Sequence, residues 1–362
     1  MKDHQVIIVG AGPAGSSCAK ALKEEEINVL VIEKEELPRY KACSGVLFGQ
    51  TQMLLEKYFG GLPPKSVYCR PEIITASDIK EWSREKGFFD FVWELPMDGV
   101  QFPIDYHNIW RSQFDQWLLE QSTADYWQGC SLQGFSVQDD KVEVKVASKA
   151  ESRRQSKETG KAVTSLHCAY LIGADGGNSK VRRLLFPSWA DETSEVTVFQ
   201  TYNRFSDSGG LKEGKWAVFF EPEISETLCC VHHKDDFLTL CVGGFKGRDL
   251  KASMEMFRKF LSDNFKVVFD KQERVEGCVM RPGPPNLGRD RILLTGEAAG
   301  FMYLNGEGIS AAIDSGYRAG KVVAKAIKEG GNAMEIYGGQ TIDLLRHVGL
   351  CMEKTHFFAV RP

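Results

Sequence analysis

The pattern of apolar and polar positions near the start of the chain predicts two buried strands joined by a helix. Residues 6–9 form a continuous apolar run rich in β-branched side chains, as expected of a central parallel strand buried on both faces. Small and apolar residues then recur at helical spacing over 14–22, and residues 29–32 form a second apolar run. This order predicts a βαβ unit at the start of an α/β domain.

Further along, helical and alternating patterns predict a second kind of domain. Residues 109–118 predict a helix whose apolar face carries Trp110, Phe114, Trp117 and Leu118. Residues 141–146 alternate, residues 148–161 predict a charged hairpin tip, and residues 166–172 predict the return strand. Short alternating segments then predict an antiparallel sheet, crossed by an amphipathic helix over 253–265. These segments are 196–202, 216–220, 227–232 and 237–242, and the aromatic stretch 79–102 is expected to add strands to the same sheet. Finally, residues 291–295 predict another buried strand, and a long helix begins at Ile309.

Composition narrows the classes of function. The 362 residues are 43% hydrophobic and 26% charged, with a net charge of −4 and no basic stripe, which argues against a nucleic-acid partner. Ten cysteines without C-x-x-C or zinc spacing indicate reduced thiols and no metal site. We expect no signal peptide and no integral membrane segment, and therefore a cytoplasmic protein.

The turn after the first strand has the spacing of a dinucleotide-binding site. Gly10, Gly12 and Gly15 form G-x-G-x-x-G, with Pro13 and Ala14 between them. Gly10 permits the tight turn, Gly12 lets a pyrophosphate approach the backbone, and Gly15 lets helix and strand pack closely. Glu33 ends the second strand, where its carboxylate can accept from ribose hydroxyls, and the helix start offers N–H groups to a phosphate.

Other candidate residues are ambiguous when each is taken alone. The small residues of Cys43-Ser44-Gly45 suit backbone beside a flat ligand, yet they fit an ordinary tight turn better. Arg111, at the helix start, would by itself be a solvated arginine. Asp175 lies between glycines after a strand, and either makes a turn or faces a cofactor. The glycines at 306 and 308 precede the helix that starts at Ile309, whose amides would favour an electron-rich group.

These motifs, in this order, resemble FAD-dependent oxidoreductases of the geranylgeranyl reductase family, which have the para-hydroxybenzoate hydroxylase fold. The segments Lys41–Gly45, Gly296–Phe301 and Leu304–Ser310 are most similar to its short bacterial branch, which includes a colicin M resistance oxidoreductase. The resemblance implies an α/β fold with a Rossmann-like FAD-binding domain of the GR2 type and an inserted antiparallel-sheet substrate domain. It implies FAD-binding segments 1–75, 105–190 and 277–330, a substrate domain of 76–104 and 191–276, and a C-terminal helical segment 331–362.

The resemblance also implies roles for single residues. Gly10, Gly12, Gly15 and Glu33, together with Pro13, Ala14 and Lys34, would hold the adenosine and pyrophosphate. Arg111 and Asp175 would flank the pyrophosphate, and Glu297, after Gly296, would take the ribityl chain. Backbone amides from Gly306 through Gly308 to Ile309 would face the N1–C2=O edge of the flavin. Cys43, with Ser44 and Gly45, would lie beside the isoalloxazine and supply or relay a proton.

Two departures from the family pattern bear on the substrate. The family usually has Asp where this chain has Glu297, which keeps the charge at a longer reach. Isoprenoid reductases carry Tyr-x-Trp-x-Phe-Pro where this chain has residues 228–233, so the large rings that would line a lipid tunnel are absent. Alternation along that strand puts His232 and His233 on opposite faces. Either both are partly exposed strand residues, or His232 faces the substrate and can donate a proton.

We therefore expect a FAD-dependent oxidoreductase that reduces a carbon–carbon double bond in a small, non-prenyl substrate. The alternatives are a flavin-dependent monooxygenase acting on an aromatic ring, and a flavin-binding redox relay or regulatory protein without its own turnover. Only one complete dinucleotide fingerprint is present. NAD(P)H, as external electron donor, would therefore use a transient surface site, or a reduced protein would be the partner that donates electrons.

Overall fold

The computed structural model describes residues 4–75, 80–83, 87–90, 101–138, 140–148, 163–190, 193–227, 229–303 and 306–354. Its first layer is a six-stranded sheet in the order β18-β19-β12-β1-β2-β8. The strands are β1 Val6–Val9, β2 Val29–Ile32, β8 Asp125–Trp127, β12 Tyr170–Gly173, β18 Gly288–Arg289 and β19 Ile292–Leu294. All neighbours are parallel except β18, which runs antiparallel to β19. The predicted βαβ unit and the Rossmann-like fold class that the resemblance implied are confirmed.

Small residues let the helices of this layer approach each other and the sheet. Helix α1, Pro13–Glu24, follows β1, and the long helix α6, Ile309–Glu329, packs against it. A Cβ at Gly15 would lie 1.9 Å from the Gly10 carbonyl oxygen, and one at Gly316 would lie 2.2 Å from the Ala14 carbonyl oxygen. The strands β1 and β2, which flank α1 in the chain, are buried on both faces, as expected of central parallel strands.

The second layer is a seven-stranded sheet in the order β17-β13-β16-β15-β14-β5-β6. The strands are β5 Lys80–Ser83, β6 Gly87–Asp90, β13 Val196–Asp207, β14 Trp216–Phe219, β15 Cys229–Lys234, β16 Phe237–Phe245 and β17 Val268–Met280. Every pair is antiparallel except β14 with β5. The predicted antiparallel sheet is confirmed, and two strands from the aromatic stretch join it.

One face of this sheet packs on a helix, and the other packs on residues of a small sheet that includes Val46, Ile74 and Tyr106. Helix α5, Leu250–Phe265, buries Met254, Phe257 and Leu261 against Val231 and its neighbours on one face. On the opposite face, Cys230 packs with Trp216, Val46 and Phe48. The strand β15 therefore turns alternate side chains toward this small sheet.

Two smaller sheets complete the described fold. One has the strand order β11-β10-β9, and its strands are β9 Cys130–Gln138, β10 Lys141–Ser148 and β11 Val163–Cys168. The other has the order β3-β7-β4, and its strands are β3 Val46–Leu47, β4 Tyr68–Thr75 and β7 Asp105–Ile109. The remaining helices are α2 Gly49–Phe59, α3 Arg111–Ser122, α4 Lys180–Leu185, α7 Ala333–Gln340 and α8 Ile342–Lys354. Within the described ranges, no helix is both long and apolar enough to cross a membrane.

Two sequence predictions about strands and helices differ from this fold. The single return strand predicted over 166–172 is wrong: β11 ends at Cys168 and pairs with β10, whereas β12 starts at Tyr170 and pairs with β1. The helix predicted from residue 109 begins at Arg111, because residues 105–109 pair with β4 as β7. Most of the predicted hairpin tip, residues 149–161, lies outside the described residues, as do Leu228, Leu304 and Asn305.

Candidate functional site

The glycine-rich turn presents bare backbone at the start of α1. Gly10 has φ +107°, and a Cβ there would lie 2.4 Å from the Ala174 carbonyl oxygen. Gly12 is the residue before the helix, carries no side-chain cap, and a Cβ there would meet only the Arg39 guanidinium, at 3.8 Å. Because backbone N–H groups at a helix start bind phosphate, this turn fits a pyrophosphate.

Glu33 ends β2 beside that turn. Its buried carboxylate accepts from the Ala11 amide and from the Glu35 amide, each at 3.0 Å. The Arg39 Nε lies 3.4 Å from the same carboxylate. Lys34 is exposed next to it. The acid is thereby fixed at the edge where a ribose would lie in a dinucleotide fold.

Arg39 connects Glu33 to a buried ion-pair group that sequence analysis missed. Its Nη1 donates to Asp115 Oδ2 at 3.0 Å, and Arg111 donates to Asp115 Oδ1 from Nε at 3.0 Å and Nη2 at 2.9 Å. Burial alone would lower the pKa of Arg111, but Asp115 outweighs it and the pKa is raised. Taken alone, Arg111 was expected to be solvated, and that expectation is wrong because α3 turns it inward toward Asp115. The i,i+4 spacing of the pair was a usable signal.

Asp175 and Glu297 flank the turn from two other strands. Asp175 lies beside Gly10, and its carboxylate accepts from Ser179 Oγ at 2.5 Å and from the Lys180 amide at 2.6 Å, at the start of α4. Burial raises the pKa of Asp175. Glu297 lies in a short 3₁₀ turn, and its carboxylate covers Gly177, where a Cβ would lie 2.4 Å from Oε1.

The start of α6 is capped by a side chain that sequence analysis did not consider. Glu307 is buried, and its Oε1 accepts from the Ile309 and Ser310 amides at 2.9 Å each. Of these two, the Ile309 amide is one of those predicted to face the flavin edge. Gly308 has nothing within 4 Å of a Cβ position. A bound flavin would therefore share this helix start with the Glu307 carboxylate, and the predicted contact stays a prediction.

The loop from Cys43 to Gly45 is held by the substrate-side sheet. Gln200 Nε2 donates to the Cys43 carbonyl oxygen at 3.2 Å, and His232 Nε2 lies 3.1 Å from the Ser44 carbonyl oxygen. Gly45 has φ +69°, and a Cβ there would lie 2.3 Å from the Ile109 carbonyl oxygen. The loop is thus fixed at each residue, and the Gly45 amide donates to the Cys43 thiol at 3.4 Å.

Lys234 is a fully buried lysine behind this loop. Its Nζ donates to Asn108 Oδ1 at 3.0 Å, the Ile109 carbonyl oxygen at 2.7 Å and Cys69 Sγ at 3.6 Å. Burial lowers the pKa of Lys234. It shares a strand face with His232, two residues earlier, so strand alternation was a signal that could have identified it.

Both histidines of β15 are buried, so the expectation that they are partly exposed is wrong. They lie on opposite faces, since His233 Nε2 bonds the Leu211 carbonyl oxygen at 3.0 Å. Burial lowers the pKa of His232. Because the Ser44 carbonyl can only accept, neutral His232 carries its hydrogen on Nε2.

A small cavity, partly open to solvent, lies beside the Cys43 loop. The lining residues are Tyr40, Lys41, Cys43, Ile109, Trp110, Arg111, Ser112, Tyr202, Lys234 and Glu276. Tyr202 and Trp110 stack with centroids 5.6 Å apart, and Tyr202 Oη donates to Glu276 Oε2 at 3.3 Å. Burial raises the pKa of Glu276. The cavity wall includes Cys43 but not His232.

Comparisons with known proteins agree with this geometry. A model of NAD(P)-binding Rossmann-like domains matches residues 8–47, and a model of FAD binding domains matches residues 112–241. The protein CbrA of Escherichia coli O9:H4 is 26% identical over 327 residues, covering 87% of this chain and 80% of its own.

Two solved structures share the fold. A geranylgeranyl bacteriochlorophyll reductase-like protein from Thermoplasma acidophilum has a TM-score of 0.73 at 18% identity, covering 98% of this chain and 84% of its own. The p-nitrophenol 4-monooxygenase PnpA of Pseudomonas putida has a TM-score of 0.69 at 16% identity, covering 97% and 88%. The resemblance predicted from the motifs is confirmed, and the chain has the fold of FAD-dependent oxidoreductases.

Proposed function

We propose that this flavoprotein reduces a carbon–carbon double bond in a compact, non-prenyl substrate. The observation that carries the proposal is the cavity beside Cys43, whose wall brings a thiol, a carboxyl and basic groups next to the rings of Trp110 and Tyr202. A charged wall suits a compact polar molecule better than a long isoprenoid, because burying unpaired charges against an apolar chain is costly.

FAD would be held by the residues that line the turn and its neighbours. The Gly10–Gly15 turn and Glu33 suit the adenosine side, and the Arg39–Asp115–Arg111 group continues from Glu33 toward Cys43. Glu297 and the start of α6 would hold the part nearer the cavity. When bound and reduced, FAD supplies the hydride.

The chain itself would supply the proton that follows the hydride. Cys43 lies on the cavity wall with its thiol near Arg111, and we assign it as the proton donor or relay. Glu276, on the same wall, accepts from Tyr202 and is paired with Arg274. His232 is the other predicted catalytic residue. Its hydrogen bond to Ser44 favours a positioning role for the Cys43 loop over contact with substrate.

The alternatives make different use of the same cavity. A monooxygenase remains the second candidate, because PnpA shares the fold over nearly all of this chain. A redox relay without turnover is less favoured, since a protein that only passes electrons does not need a substrate cavity beside the Cys43 thiol. The electron donor is proposed to be NAD(P)H at a transient surface site, or a reduced protein.

Anaerobic reduction of the purified holoprotein, followed by mixing with oxygen or with candidate alkenes, tests the proposal. Reoxidation of flavin by an alkene with formation of the saturated product supports the reductase, whereas oxygen incorporated into an aromatic product supports the monooxygenase. Cys43→Ser keeps the size of the side chain and weakens the acid. It should keep FAD and dithionite reduction yet lose turnover, and full activity would remove Cys43 from the mechanism.

A further inference from the structure

We propose that the substrate is an anion: an alkene conjugated to a carboxylate, whose negative charge is bound by Lys41 within the positive potential of Lys234. This inference rests on the proposed reductase function and names the substrate class of its cavity. Its basis is the charge of the cavity wall, which has three cations, Lys41, Arg111 and Lys234, against one carboxyl, Glu276.

Two of these charged groups are neutralised by partners. Arg111 is paired with the buried Asp115 through bonds of 2.9 and 3.0 Å. Glu276 is paired with Arg274, whose Nε lies 3.2 Å from Oε1. Arg111 and Glu276 therefore add no net charge to the cavity wall. The net charge of the wall comes from Lys41 and Lys234.

Neither lysine has a carboxylate within 4.0 Å among the residues that the structure describes. The hydrogens of Lys234 are used by Asn108, Ile109 and Cys69, so it contributes potential and not a direct bond to the ligand. The nearby Asp235 accepts from the Trp110 indole at 2.7 Å and from the Arg70 amide at 2.7 Å, which directs its oxygens to those donors.

Lys41 supplies the direct contact. It is half-buried at the cavity wall, and no hydrogen bond of its ammonium is found within the described ranges. A half-buried ammonium on the wall of a positive cavity is poorly solvated, so an anion that displaces its water gains a charge-assisted bond. The rings of Trp110 and Tyr202 line the same wall, and Arg274 lies over both of them.

The charge also suits the chemistry. FAD, when bound and reduced, would supply a hydride to the alkene carbon β to the carboxylate, with the electron pair of the double bond shifting toward the carboxylate. The α-carbon would then take a proton from the Cys43 thiol on the wall. The product is the saturated acid and oxidised FAD. A cation beside the carboxylate stabilises the charge that develops there in the transition state.

The test compares acids with uncharged amides of the same shape. FAD-loaded protein is titrated with cinnamate, crotonate and benzoate, and with their amides, while the flavin spectrum and tryptophan fluorescence are followed. We expect the acids to bind about 10-fold or more tightly than the amides, with affinity falling as salt rises. Lys41→Gln should weaken acid binding about 10-fold without changing amide binding, and Lys41→Arg should retain it. Lys212→Gln, an exposed lysine elsewhere, is the matched control.

Equal affinity for acids and amides, no acid bound at millimolar concentration, or an unchanged acid affinity in Lys41→Gln would each overturn the proposal. Failure of the proposed function is separable. Charge-selective binding without reduction of cinnamate or crotonate by the reduced holoprotein supports the anion site and counts against the reductase. Reduction of the amides as readily as the acids supports the reductase and overturns the anion site.

Discussion

Gly45→Ala tests whether the Cys43 loop is locked against the second sheet. Gly45 has φ +69°, and its new Cβ would lie 2.3 Å from the Ile109 carbonyl oxygen and 2.8 Å from Lys234 Nζ. The left-handed conformation alone costs a non-glycine residue about 1–2 kcal/mol. The contacts cannot be relieved by a rotamer change, because the nearer atom belongs to backbone, so the loop must move.

Moving the loop breaks bonds whose value can be estimated. The Ile109 amide donates to the Gly45 carbonyl oxygen at 2.7 Å, and Lys234 Nζ donates to the Ile109 carbonyl oxygen at 2.7 Å. A neutral hydrogen bond contributes about 0.5–1.5 kcal/mol and a charged one about 1.5–3 kcal/mol. Together with the backbone cost, we expect Gly45→Ala to lower the free energy of unfolding by about 3–6 kcal/mol.

Gly60→Ala is the matched control. Gly60 has φ +76°, close to that of Gly45, but nothing lies within 4 Å of its Cβ position. We expect a loss of about 1 kcal/mol there, since only the backbone cost applies. Urea unfolding of both variants, followed by flavin and tryptophan fluorescence, measures the difference. Equal losses in the two variants would refute the contact described between the loop and Lys234.

Three further predictions concern the cofactor, the buried lysine and the electron donor. Gly12→Val should fold, because a Cβ at residue 12 meets only the Arg39 guanidinium, at 3.8 Å, and it should purify without FAD, because the valine fills the space that the pyrophosphate needs. Gly15→Ala should fold poorly, because its Cβ would lie 1.9 Å from a backbone oxygen. A Gly12→Val protein that still carries FAD would show that the turn is misassigned. Burial lowers the pKa of Lys234 in the folded protein below the 10.5 of the unfolded chain. At any pH between those two pKa values the unfolded state binds more protons, so the free energy of unfolding should rise with pH until about pH 10.5. Lys234→Met should lose this rise in urea titrations across alkaline pH, and an unchanged slope would contradict the assignment. NADPH should show no tight, saturable binding to the FAD-loaded protein by calorimetry, and a stoichiometric isotherm would overturn the transient-site proposal.

The cofactor-binding unit could be predicted from sequence because its determinants are local. The strand, the glycine turn, the helix and Glu33 follow one another within a short stretch, and each residue type has a steric reason that holds without the rest of the fold. The structure bears this out at Gly10 and Gly15, where a Cβ would collide with backbone. The antiparallel sheet could also be predicted, since its strands alternate and are separated by turns.

The boundary between β11 and β12 could not be predicted in the same way. The amides of Ala169 and Tyr170 both donate to the Gln5 carbonyl oxygen, at 2.9 and 3.2 Å. The chain passes there from a hairpin to the parallel sheet without a glycine or proline to mark the change. The apolar pattern therefore continues across two strands that belong to different sheets.

The charged groups of the cavity could not be predicted, because distant segments bury them. Arg39 and Lys234 look like ordinary polar surface residues in sequence. Arg39 becomes half-buried between Glu33 and Asp115, and Lys234 is buried in the second sheet behind the Cys43 loop. Glu307 was passed over for a related reason. A carboxylate two residues before a helix start is a common cap, and nothing in the sequence shows that it is buried.

Lys234 is costly for stability alone, and this cost bears on function. Burying an ammonium without a paired carboxylate carries a desolvation penalty of several kcal/mol, which hydrogen bonds to neutral partners offset only in part. A methionine would fill the same space without that penalty. The lysine does what methionine cannot: it ties Ile109 and Asn108 to the strand behind the Cys43 loop and gives the cavity a positive potential. Since the backbone of the loop is already fixed by Gln200 and His232, the distinct contribution of Lys234 is its charge, and an anionic substrate is the ligand that uses it.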